Sequence, residues 1–309
     1  MRGEKLTSST TRASVIETSP PTTAVVCHDA GAANVIIAAL RLAPHRDWRV
    51  CVQGPAARLW AEAFPDVAPY SDVQQAILGA PLLISGTGWA SNLEHIARKL
   101  ARSAGVRSLA VVDHWANYEA RFVQDGEQVW PDLFCVTDCY ALAKACRVFP
   151  ADRVVLVTNH YLLGQLAEIE RVPVPAVPEV LYLLEPARSK WGRNCAGEFQ
   201  ALDYFMQHYS RLGVPNDTPI RLRPHPSDPE GKYASWLRRC RRLNVSIDTT
   251  TPLALAIGRA TWVAGCESFA LVLALMAGRK AFCTLPPWAP PCRLPHEGLI
   301  HIAELAGQA

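Results

Sequence analysis

The stretch Arg221-Leu-Arg-Pro-His-Pro-Ser-Asp-Pro229 follows a short apolar strand signal and leads toward a polar helix. A second strand-to-helix junction lies at Gly265-Cys-Glu-Ser-Phe269. An imidazole and an arginine at the end of one strand can face a Glu-Ser helix start at the end of a neighbouring strand. His225, Arg223 and Ser268 would offer hydrogen-bond donors, and the helix start its backbone N–H groups. That combination suits a nucleotide phosphate.

Working outward, strand and helix signals alternate along the whole chain. Strands are expected at 24–27, 48–52, 82–85, 108–112, 133–136 and 154–157, each ending in polar or small residues before a helix. After 178 the pattern resumes, with strands at 180–184, 220–223, 245–248, 261–264 and 281–284. Helices are expected at 197–212 with Asn194 as cap, from Thr251-Pro252, at 267–277, and within 295–306. Such βα alternation implies parallel sheets covered by helices on both faces. Between the halves, Arg171-Val-Pro-Val-Pro-Ala-Val-Pro178 reads as a stiff linker. The expected fold is α/β with two Rossmann-like domains facing a cleft, over 22–172 and 173–309. Residues 1–21 are expected to form a disordered leader without the apolar centre of a secretory signal.

With 31 basic and 28 acidic residues in 309, the charge is nearly balanced, so nucleic acid is not an expected partner. No apolar run reaches the ~18–20 residues of a membrane span. The ten cysteines are scattered without a Cys-x-x-Cys, and Cys283 and Cys292 have no histidine at a usual metal spacing. Buried free thiols in a reducing cytoplasm are expected.

The second half resembles the nucleotide-binding half of GT-B-fold glycosyltransferases. The resemblance is closest to bacterial enzymes with a His-Pro motif, such as sialyltransferases and capsule or lipopolysaccharide sugar transferases. The matching residues are Arg223-Pro-His225-Pro226, Thr251-Pro252-Leu253, and Gly265-Cys-Glu267-Ser268 with Ala274-Leu-Met-Ala-Gly-Arg-Lys280. The last stretch also looks like the donor-site helix of nucleotide-sugar 2-epimerases. The resemblance implies sugar transfer from a nucleotide-sugar to a glycan or lipid-linked acceptor in surface polysaccharide synthesis. It implies no cofactor and no metal, in keeping with the lack of an Asp-x-Asp motif. The enzyme would be cytoplasmic, with peripheral membrane contact through Arg238–Arg242. An epimerase or hydrolase on the same fold, or a non-catalytic nucleotide-sugar-binding protein, are the alternatives.

Expected roles follow. His225 would stabilise the leaving nucleotide phosphate, with Arg223, Ser227, Ser268 and Lys190 in support and Glu267 on the ribose. In the first half, Asp29 is the expected general base toward the acceptor hydroxyl. A helix cap is its competing role. His114, oriented by Asp113, is the alternative base. The acceptor would meet the small-residue turn of His28, Gly31 and Asn34 and the loop of Gly86, Thr87 and Gly88. It would also meet the polar–aromatic run of Asp113, Asn117, Tyr118 and Arg121. Closure about the linker would exclude water.

Overall fold

A computed structural model describes residues 15–45, 47–88, 91–173, 175–187, 189–240 and 244–306. The chain divides into two compact units, Met1–Tyr161 and Leu162–Ala309. Arg241 and Arg242, from the basic run Arg238–Arg242, lie outside the described residues, as does most of the leader. From Val15 onward the chain packs. Ile16 is buried in the first unit's core, and the Glu17 carboxylate pairs with His160 at 2.6 Å.

In order, the first unit contains β1 (Ala24–Cys27), α1 (Ala30–Leu40), β2 (Arg49–Val52), α2 (Gly54–Ala63), α3 (Val73–Ile77), β3 (Leu82–Ser85), α4 (Leu93–Ser103) and β4 (Arg107–Val112). A small hairpin follows, β5 (Val123–Gln124) and β6 (Glu127–Gln128), then β7 (Leu133–Val136), α5 (Cys139–Ala145) and β8 (Val154–Leu156). Helix α6 (His160–Glu170) crosses the division between the units. The main sheet is six-stranded in the order β2-β1-β3-β4-β7-β8, parallel throughout.

Burial on both faces explains the uninterrupted apolar strands. In β1, Val25 and Cys27 enter one core, with Trp48, Trp60 and Phe64, while Ala24 and Val26 enter the opposite one. The side-chain period of two distributes a single strand between two cores.

The second unit contains β9 (Val180–Leu183), α7 (Gly197–His208), β10 (Ile220–Arg223), α8 (Ala234–Arg239), β11 (Val245–Ile247), α9 (Leu253–Arg259), β12 (Trp262–Gly265), α10 (Phe269–Met276), β13 (Lys280–Cys283), β14 (Ile300–His301) and α11 (Ile302–Ala306). Its sheet runs β11-β10-β9-β12-β13-β14, again parallel. Val172, from the proline-rich segment, lies against α9. A Cβ at Gly258 would stand 2.6 Å from its side chain.

Several local expectations are corrected. Ala196, not Asn194, stands at the α7 cap, and the helix stops at His208 before a 3-10 turn. Thr251 does not cap α9. Pro252 holds that position, and Asp248 accepts the N–H groups of Thr250 and Thr251 instead. The closing helix expected within 295–306 is present as Ile302–Ala306, following Ile300 and His301, which pair with Phe282 and Cys283.

Candidate functional site

In the first unit, β1 leads to β2 on one side and the chain then crosses back to β3 on the other. The carboxyl ends of β1 and β3 therefore flank the switch point of the sheet, where open α/β sheets bind ligands. His28-Asp29 leaves β1 there, and Gly86-Thr87-Gly88 leaves β3.

Asp29 occupies the N-cap position of α1 with extended backbone, yet its side chain makes no cap hydrogen bond. Asp72 and Asp138 in the same unit do cap, accepting from Gln74 and Ala141. The Asp29 carboxylate instead accepts the Nδ1–H of His28 at 2.7 Å. It also lies over Gly88, where a Cβ would stand 2.3 Å from its Oδ2. His28 in turn lies over Gly54, whose φ is +54°.

Asp113 leaves the neighbouring β4. Its Oδ1 accepts from Arg121 Nη1 at 2.9 Å, and its Oδ2 fills the space beside Gly31. Arg121 also donates to Thr87 Oγ1 at 3.0 Å and to the Ala116 carbonyl. The strand ends thus gather His28, Asp29, Gly31, Gly86, Thr87, Gly88, Asp113 and Arg121 into one cluster. A Cβ at Gly31 would lie 1.8 Å from Asp113 Oδ2, and the carboxylate can yield only by leaving Arg121. Gly31→Ala is therefore expected to cost ~1–3 kcal/mol of stability, as overpacking does. Urea unfolding measures it, and an unchanged midpoint would contradict the close approach.

The other residues of the expected acceptor region divide. Asn34 is half-buried one turn along α1 from Gly31. His114 is half-buried with its ring 5.4 Å from that of Trp115, while the Asp113 carboxylate expected to orient it is engaged by Arg121. Asn117 takes the left-handed backbone, φ 61°, that turns the chain toward Arg121. Tyr118 is buried and stacked on Phe149, and burial raises its phenol pKa.

Two charged residues missed by sequence reasoning hold this cluster from beneath. Glu94 is fully buried, and its Oε1 accepts the His28 N–H at 2.8 Å. Burial raises its carboxyl pKa, opposed by that hydrogen bond and by Arg98. Arg98, also buried, donates to the carbonyls of Gly86, Val129 and Arg121. Burial pulls its guanidinium down to about 10. The signal was present: Glu94 and Arg98 sit one helical turn apart beside the apolar stripe Leu93, Ala97, Ala101.

The second unit has its own switch point, between β9 and β12. Glu185 leaves β9 and Cys266-Glu267-Ser268 leaves β12. The Glu185 carboxylate accepts the N–H groups of Cys266, Glu267 and Ser268 at 2.9–3.0 Å. The backbone donors expected to hold a phosphate are thus taken by a side chain that sequence reading passed over. Burial pushes Glu185 up to about 7, against the hydrogen bonds from Glu267 and Ser268 that pull it down. Glu267 is clasped by Arg293, through both its backbone N–H and its guanidinium.

The 223–228 turn is a built structure. His225 N–H donates to Asp228, which also accepts from Lys232 and Tyr233. The imidazole is exposed, and its Nδ1 accepts the Ser227 N–H at 3.2 Å and meets Ser227 Oγ at 2.8 Å. A neutral ring accepting at Nδ1 carries its proton on Nε2. Arg223 donates to the Thr251 carbonyl, and burial lowers its pKa. Lys190 is exposed, and its carbonyl anchors the loop by accepting from Gln200 and Arg193.

A separate concavity of about 600 Å³, bounded by Arg102, Arg107, Trp130 and Arg153, opens at the amino-terminal edge of β4 and β7. It contains none of the strand-end residues above. No helix among the described residues is long and apolar enough to cross a membrane.

No protein-family model matches the chain, and no curated protein matches its sequence. Solved structures do match its fold. The S. aureus MnaA–UDP co-structure superposes with a TM-score of 0.61 at 10% identity, covering 85% of this chain and 79% of that one. The UDP-GlcNAc 2-epimerase from Neisseria meningitidis bound to UDP-GlcNAc gives 0.57 at 9% identity, over 89% and 84%. The glycotransferase of kitacinnamycin gives 0.53 at 14% identity, over 85% and 80%. Two parallel α/β units with these neighbours make the fold GT-B-like, with two Rossmann-like domains.

Proposed function

We propose that the protein is a glycosyltransferase that moves a sugar from a nucleotide-sugar to a glycan or lipid-linked acceptor. The observation that carries this reading is Asp29. It stands at a helix start without capping it, at the switch point of its sheet, and its carboxylate is hydrogen-bonded to His28. That is the arrangement a general base toward a hydroxyl needs. An epimerase needs further acid–base carboxylates. Asp113 and Glu267, the further carboxylates the sequence offered for that chemistry, are each paired with an arginine.

In this reading the second unit takes the nucleotide. With the Cys266, Glu267 and Ser268 N–H groups ahead of α10 engaged by Glu185, the phosphate contacts fall to His225 Nε2–H, Ser227 and Arg223. Charge growing on the leaving phosphate is stabilised by these donors. The His-Pro turn is consistent with the sialyltransferase-like and capsule-type transferases noted above. Arg238 and Arg239 on α8 would favour an anionic membrane surface where a lipid-linked acceptor resides.

The test is a thermal-shift panel of UDP, CMP, GDP and TDP on wild type and His225→Ala, followed by product analysis with and without acceptors. One nucleotide is expected to stabilise the wild type, by ~2.7 kcal/mol at a hundred times its Kd. His225→Ala is expected to bind it ~10-fold more weakly, the loss of one charge-assisted hydrogen bond. A sugar isomer formed without acceptor would transfer the assignment to an epimerase. No shift with any nucleotide would remove the reading.

A further inference from the structure

Cys283 closes β13 and His301 closes β14, and the two residues are register partners in the parallel pair. Cys292 lies in the long irregular segment between those strands. The linear spacing hid this histidine, because only strand pairing returns it to the cysteines. Both sulfurs and an imidazole nitrogen lie within 4.8 Å of one another. Cys283 is buried, while Cys292 and His301 are partly exposed, so the group has an inner wall and an open side.

We propose that Cys283, Cys292 and His301 form a binding site for a tetrahedral divalent cation of the zinc class. Two thiolates and one imidazole are a ligand set that zinc accepts, with a fourth position left for water or another oxygen donor. Bond lengths of about 2.3 Å to sulfur and about 2.0 Å to nitrogen would draw the ligand atoms to about 3.5–3.8 Å apart. The three residues reach that spacing by closing about 1 Å. On binding, each thiol releases its proton to solvent and the sulfur lone pair forms the metal bond.

The segment from Thr284 to Leu299 has no helix or strand, and such lengths are uncommon without a fastening. It carries Arg293, which clasps Glu267. A cation on the adjacent Cys292 would staple this segment at its middle to both flanking strands. The site is independent of the nucleotide reading and does not stand or fall with it.

Full-length protein, reduced and treated with chelator, is titrated with Co2+ and then Zn2+. Wild type is expected to show thiolate-to-cobalt charge transfer and the visible bands of tetrahedral Co2+. These should saturate at one equivalent and be bleached by Zn2+, which also raises the unfolding midpoint. Cys292→Ser and His301→Gln are each expected to lower Co2+ affinity more than ~100-fold, beyond the loss of a mere outer-shell partner. Their metal-free unfolding midpoints should stay near wild type, and either folded variant suffices for the test. The proposal is overturned if wild type shows no thiolate band, or if the band survives in Cys292→Ser. It is equally overturned if a Cys283–Cys292 disulfide forms in air and the reduced protein takes up no metal.

Discussion

Asp29→Asn is expected to lower the rate of the proposed sugar transfer by ~10²–10⁴-fold, the usual contribution of a positioned base, while nucleotide affinity stays near wild type. The amide keeps the shape of the carboxylate over Gly88 and can still accept from His28. Proton removal is lost, and a helix cap is not, because the side chain caps nothing. Single-turnover kinetics with a saturating donor, alongside thermal unfolding, separate the roles. A variant with full turnover would return Asp29 to a structural part. A variant that mainly unfolds would point the same way.

The second large effect concerns Glu185. Its folded pKa of about 7 lies above the ordinary glutamate value of ~4.3. The fold therefore favours the protonated form. The stabilisation this group contributes is fully present below about pH 4 and is lost as pH rises through about 7. Over that window the change is on the order of 3 kcal/mol. Glu185→Gln is expected to flatten this component, so that its stability at pH 8 approaches its stability at pH 5, once other titrating groups are cancelled against wild type. Urea melts across that range measure the difference, and parallel wild-type and variant curves would contradict it.

The sheets were legible because their strands are continuous apolar runs, such as AVVC, LLIS and VLYL, buried on both faces. Small and polar residues after those strands marked the strand ends that the first unit gathers into one cluster. The partners they choose were not legible. Glu185 follows its strand in a Glu-Pro pair that reads as a plain turn. Only the β9–β12 pairing brings it to residues 266–268. Asp29 and Asp138 look alike as residues before a helix, yet one caps and the other does not. The choice depends on His28 and Gly88, at the ends of two different strands. Strand β14 has two residues, too few for a period, and with it His301 escaped notice.

The crossed packing of carboxylates and glycines has a consequence for how this site can change. Asp29 fills the missing side chain of Gly88, and Asp113 fills that of Gly31. Each loop is a mould for the other, so neither can be exchanged alone. A graft of the 86–88 loop from a chain with a side chain at position 88 should fail unless residue 29 shrinks with it. Change at this end of the sheet would then arise through paired substitutions, 29 with 88 and 31 with 113.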